Sequence, residues 1–102
     1  MLDTEQEIRD ALPSWYEPRS EKERQDGDCE LALMCTLGDW KLLWDPNDKT
    51  ETRAAEEAFN NLRKKGYLAF KAAKNWKKEG TQIRKFDPKA ERILMAPPLR
   101  GG

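Results

Sequence analysis

Ile93-Leu94-Met95-Ala96 reads as the interior strand of a sheet, and the rest of the chain has to supply its neighbours. Four apolar residues stand between Arg92 and the pair Pro97-Pro98, the pattern of a strand buried on both faces. The prolines have no N–H for a ladder and hold φ near about −65°, so the backbone leaves the sheet after Ala96 as a stiff, extended stalk. Leu99, Arg100, Gly101 and Gly102 follow. The last two carry no Cβ, which leaves a ribbon narrow enough to enter a slot that any other side chain would block.

The neighbours come from three stretches. From Cys29 the period is two: Cys29, Leu31, Leu33, Cys35 and Leu37 fall on one side, and Trp40, Leu42 and Trp44 alternate on the way back. Gly38-Asp39 between them predicts a two-residue turn that pairs Leu37 with Trp40, Cys35 with Leu42 and Leu33 with Trp44. Pro46 ends this hairpin, and Asp48 with Glu51 predicts a capped helix over 49–65. Its apolar stripe is Ala54, Ala55, Ala58, Phe59 and Leu62, with Gly66 just past its end. Residues 67–73 then predict a strand with Leu68, Phe70 and Ala72 turned inward. A basic loop over 74–80, a weaker strand over 81–86 and an Asp87-Pro88 turn lead to the final strand.

Upstream, Thr4 and Glu7 predict a capping box for a short helix whose Ile8, Ala11 and Leu12 share a face, stopped by Pro13. Trp15 and Tyr16 follow as anchors for the arm or for a partner. Residues 19–28 contain no apolar side chain larger than glycine, which predicts a solvated loop or linker. The division is thus an arm over 1–28, a domain over 29–96 and a tail over 97–102. Strand, turn, strand, helix and three strands, with one helix to cover one side of the sheet, make a two-layer α+β domain.

Composition excludes several classes. At 102 residues, with 37% charged and a mean hydropathy of −0.99, the chain has no apolar stretch near the roughly 20 residues of a membrane span. The first residues carry Asp3, Glu5 and Glu7 and not a basic flank before an apolar run, so a cytoplasmic location is expected. There is no histidine and only Cys29 and Cys35. A zinc site and a Cys–His nucleophile therefore lack residues, and the two cysteines, six apart on one strand, are too distant to bridge. No glycine-rich phosphate loop or paired catalytic carboxylates stand out, so no enzyme activity and no cofactor are expected.

Charge is sorted along the chain although its net value is zero. Residues 1–61 hold 16 acids and 7 bases, and residues 62–102 hold 3 acids and 12 bases, a polarity that can steer a partner. Lys71, Lys74, Lys77, Lys78, Arg84 and Lys85 surround Trp76, the mix a nucleic-acid surface uses. The acidic half and the neutral total argue against that partner. Met34, Leu43, Tyr67 and Ala69 lie on the opposite parity from the expected core, which predicts an exposed apolar patch on the open face of the sheet.

The order of these elements over 29–102, with Leu37-Gly38-Asp39 at the hairpin, Pro46 before a capped helix and a last strand leading into Leu99-Arg100-Gly101-Gly102, resembles the β-grasp fold of ubiquitin-like modifiers. The segment from Gly38 is also similar to small bacterial and phage proteins of unassigned function, in Gly38-Asp39-x-Lys41, Trp44-Asp45-Pro46, Lys65-Gly66-Tyr67, Phe86-Asp87-Pro88 and the Gly-Gly pair. The first resemblance implies that an activating enzyme adenylates the Gly102 carboxylate, that a cysteine and finally a lysine amine of a target receive it, and that Leu99 and Arg100 are the handle. Its partners are then activating and conjugating enzymes and target proteins. Ubiquitin has a second Leu-Arg where this chain has Pro97-Pro98, and that difference stiffens the stalk. A non-enzymatic assembly protein, such as a phage virion or accessory component, is the alternative use of the same fold.

Overall fold

The computed structural model describes residues 4–34, 40–72 and 80–98. In chain order these form helix α1 (Thr4–Ala11), strands β1 (Cys29–Leu33) and β2 (Lys41–Trp44), helix α2 (Lys49–Lys64), and strands β3 (Leu68–Ala72), β4 (Thr81–Ile83) and β5 (Arg92–Ala96), with a single 3-10 turn at Glu21–Glu23. The strands make one mixed sheet in the order β2-β1-β5-β3-β4. β5 is central, parallel to β1 and antiparallel to β3, but it is buried on one face and not on both: Ile93 and Met95 are buried, while Leu94 and Ala96 are half-buried on the open face. The molecule is thus an α+β fold with a five-stranded mixed sheet.

Helix α2 forms where the sequence places it. Asp48, in extended conformation, accepts hydrogen bonds from the N–H groups of Thr50 and Glu51, which satisfies two of the unpaired donors of the first turn. Glu51 does not complete a capping box; it accepts from the Asp45 N–H and pairs with Arg19. At the other end Gly66 adopts φ +99°, its N–H donates to Arg63 O and the Tyr67 N–H donates to Leu62 O. This pair of bonds is the Schellman arrangement, which requires a left-handed residue and so favours glycine. The Ala54, Ala55, Ala58, Phe59 and Leu62 stripe is at most 1% exposed. Ala55, Ala58, Phe59 and Leu62 pack with Leu31, Leu33, Leu42, Trp44, Ala69, Ile93 and Met95 in one buried cluster, and Phe86 closes it against Phe59 and Trp44 at ring separations of 5.7 and 5.3 Å.

The hairpin register differs from the expected one. Cys29 stands opposite Trp44 and Leu31 opposite Leu42, four residues displaced from a tight turn at Gly38-Asp39, so a longer connection joins β1 to β2. Residues 35–39 lie outside the described part. Because the displacement is even, no side chain changes face, and Leu31, Leu33, Leu42 and Trp44 still point to α2. Strand β3 is a correction of another kind, since its inward residue is Ala69 and not Leu68 or Phe70. The helix cap sets this phase: Tyr67 is held by Leu62 O, by Arg63 donating to its carbonyl, and by its hydroxyl donating to Glu7. With Tyr67 fixed on the helix side, alternation puts Ala69 inward and Leu68 outward.

The arm is part of the same body. Ile8 and Ala11 are buried in the cluster, with Leu12 and Tyr16 packed against it, and Asn61 donates to Ala11 O at 2.8 Å. The charged segment 19–28 is not simply solvated. Arg19 makes paired hydrogen bonds with Asp28 (2.9 and 3.0 Å) and with Glu51 (2.8 and 2.9 Å), and Asp28 is 2% exposed. Pairing of this geometry lets a carboxylate be buried where an isolated one would be expelled.

Candidate recognition surface at the root of the tail

The register of five strands assigns each side chain to a face. Opposite the helices the sheet presents three rows. Met34, Ala96 and Leu68 make the first; Lys41, Ala32, Leu94, Phe70 and Gln82 the second; and Leu43, Glu30, Arg92 and Ala72 the third. Met34 follows β1 and donates its N–H to Met95 O at 2.8 Å, which keeps it in line with the end of β5. Met34 and Leu68 are 52% and 44% exposed, two of the largest exposed apolar side chains among the described residues, and they flank the point where Pro97 begins. Both prolines are exposed. Pro98 lies close over Gly66, where a Cβ would come within 3.2 Å of Pro98 Cβ, so the stalk leaves against the capped end of α2.

Of the patch expected from parity, Met34 alone is exposed. Tyr67 and Ala69 are 8% and 0% exposed because they face the helix side, the consequence of the cap-determined phase of β3. Leu43 does lie on the opposite face but is 0% exposed. It stands opposite Glu30, and Glu30 draws Arg92 (2.7 Å) and Arg24 (3.1 Å) over this corner of the sheet. The apolar set the structure assembles there is Met34, Leu68, Phe70, Leu94 and Ala96. Sequence reasoning missed Leu68, Phe70, Leu94 and Ala96. The Gly66-Tyr67 cap could have found Leu68 and Phe70, since it fixes the first residue of the following strand on the helix side, whereas Leu94 and Ala96 follow from alternation along β5 with Ile93 and Met95 buried.

Electrostatics separate the apolar end of this face from a charged end. Burial by itself would raise the Glu30 carboxyl, but the Arg92 hydrogen bond and charge, with Arg24 and Lys41, outweigh it and hold Glu30 below the usual carboxylate range. Asp28 shows the same balance, burial opposed by Arg19 and by the Gln25 N–H, again with a lowered result. These carboxylates are engaged by guanidinium groups and so are poor candidates for acid–base work or for metal binding. Leu99, Arg100, Gly101 and Gly102 lie outside the described residues, as do residues 73–79 with Trp76; of the basic set, Lys71 is paired with Asp87 at 3.1 Å.

Comparison with protein-family models, curated proteins and solved structures finds no match to this chain. No helix among the described residues is long and apolar enough to cross a membrane.

Proposed function

We propose that this chain is a β-grasp protein modifier, recognised through its open sheet face and joined to amines through Gly102 once that residue carries a free carboxylate. The observation that carries the reading is the place of β5. It is the central strand, it ends at Ala96 between Met34 and Leu68, and the stalk therefore starts from the exposed apolar end of the sheet. An enzyme that holds the patch has the tail within reach.

The strand order β2-β1-β5-β3-β4 with α2 between β2 and β3 supports the β-grasp assignment. The tail chemistry follows from its residues. An acyl group is attacked from above or below the carbonyl plane, and two glycines leave both sides unshielded, while Leu99 and Arg100 supply an apolar and a cationic contact for positioning. The prolines limit the stalk's freedom, which lowers the entropy lost when an enzyme captures it. Assembly on a larger structure is the second reading, favoured by the same patch, since Met34 and Leu68 can dock a partner with no use of the tail.

The test uses an extract of the native host supplemented with ATP. The modifier reading expects an ATP-dependent covalent adduct that disappears when Gly101-Gly102 is removed and is slowed by Leu68→Asp, with both variants melting like the parent. Adduct formation that survives loss of Gly101-Gly102, or partner binding by the truncated chain with no adduct under any condition, contradicts it.

A further inference from the structure

A second surface lies on the helix side. Trp15 and Tyr16 are neighbours with opposite fates: Tyr16 packs against the core, while Trp15 remains 52% exposed with its ring edge-on to Tyr16 at 5.9 Å. Burial, with the charge of Glu51, pushes the Tyr16 phenol up to about 12, so it stays neutral there. Docking of the arm thus uses the tyrosine and leaves the tryptophan with an open π-face. Arg53 places its guanidinium 6.0 Å from the Trp15 ring centroid. With Lys49 and Thr50 from the first turn of α2 these residues line an open cavity of about 500 Å³.

The charges around this cavity are sorted in a way the sequence conceals. Of the acids near these cations, Asp48 accepts from two helix N–H groups and Glu51 is bound by Arg19 and the Asp45 N–H, while Glu56 and Glu57 follow Arg53 one turn further along α2. Lys49 and Arg53, one turn apart on the same side of α2, have no carboxylate partner among the described residues. A tryptophan face beside two unpaired cations and a hydroxyl is complementary to a bulky apolar side chain next to a carboxylate. Two cations are too few to track a polyphosphate backbone.

We infer that the Trp15, Lys49, Thr50 and Arg53 shelf binds an acidic peptide segment of a partner protein, an aromatic or aliphatic side chain lying on Trp15 and a carboxylate between Lys49 and Arg53. The shelf is independent of the tail and of the open sheet face, so its failure leaves the modifier reading untouched.

The test titrates the full chain with a blocked peptide of alternating Asp, Phe, Glu and Leu, followed by amide-resolved NMR. The expected result is saturable binding with shifts centred on Trp15, Lys49, Thr50 and Arg53. Trp15→Ala and Arg53→Glu should each weaken it about tenfold without lowering the melting temperature, and added salt should weaken it as well. Equal binding of a peptide with Asn and Gln in place of the acids, tighter binding of oligothymidylate, shifts located on the open sheet face, or no saturable binding at all overturns the inference.

Discussion

Replacing Phe59 by alanine tests the packing of the whole domain. Phe59 is 0% exposed at the middle of the α2 stripe, and its ring meets Phe86 at 5.7 Å with an interplanar angle of 61°. Deleting a buried phenyl ring costs about 3–5 kcal/mol where the site collapses only in part, and the edge-on pair accounts for about 0.5–1.5 kcal/mol of that. A domain of this length holds roughly 5–15 kcal/mol in total, so the variant loses a large fraction of its stability. At about 4–8 °C per kcal/mol for a domain near this size, the melting temperature should fall by at least about 12 °C. Urea unfolding followed by circular dichroism measures the loss directly, with the slope m unchanged if only stability has altered. Glu56→Ala, on the exposed side of the same helix, is the control and should stay within about 0.5 kcal/mol. A loss below about 1 kcal/mol for Phe59→Ala at unchanged m would refute the placement of α2 on the sheet.

Gly66→Ala should destabilise by about 1–2 kcal/mol, because a left-handed residue at φ +99° must now carry a Cβ and that Cβ meets Pro98; Lys65→Ala, one residue earlier in right-handed conformation, should cost clearly less in the same urea titration. Asp28 and Glu30 have lowered folded values, so the stability they confer is present above the unfolded carboxylate values of about 3.9 and 4.3 and is lost as pH falls through the folded values. Unfolding free energy should therefore be level from neutral pH down to about pH 5 and drop below about pH 4, and Arg19→Gln, which leaves Asp28 and Glu51 without their shared guanidinium, should lower stability at pH 7 and flatten that acid limb.

How much could be read from residues alone depended on whether the determining contact was local. The buried face of α2 followed from spacing, its N-cap from Asp48 and its end from Gly66, since a helix satisfies its own backbone within one segment. The interior position of β5 followed from its unbroken apolar run. The hairpin faces were legible but the register was not, because an even displacement leaves the same residues pointing inward. The phase of β3 is hidden behind side-chain size: Leu68 and Phe70 look like core residues, and alternation then predicts Ala69 outward. What decides it is a backbone bond from Tyr67 to Leu62 across the helix end, which puts Leu68 and Phe70 on the open face in place of Tyr67 and Ala69; Leu43 is lost from the patch for a different reason, the Glu30 corner with Arg92 and Arg24. The ion pairs that bury Asp28 and Glu30 join residues as far apart as Glu30 and Arg92, and nothing in a local window of the charged arm reveals them.

The most direct test of the modifier reading is intact-mass analysis of protein conjugates from the native host. The account predicts target proteins heavier by the 11.9 kDa of this chain less one water, linked from the Gly102 carbonyl to a lysine amine and absent when Gly102 is deleted. Host material that contains the chain and its activating enzyme but no such Gly102-dependent species contradicts it.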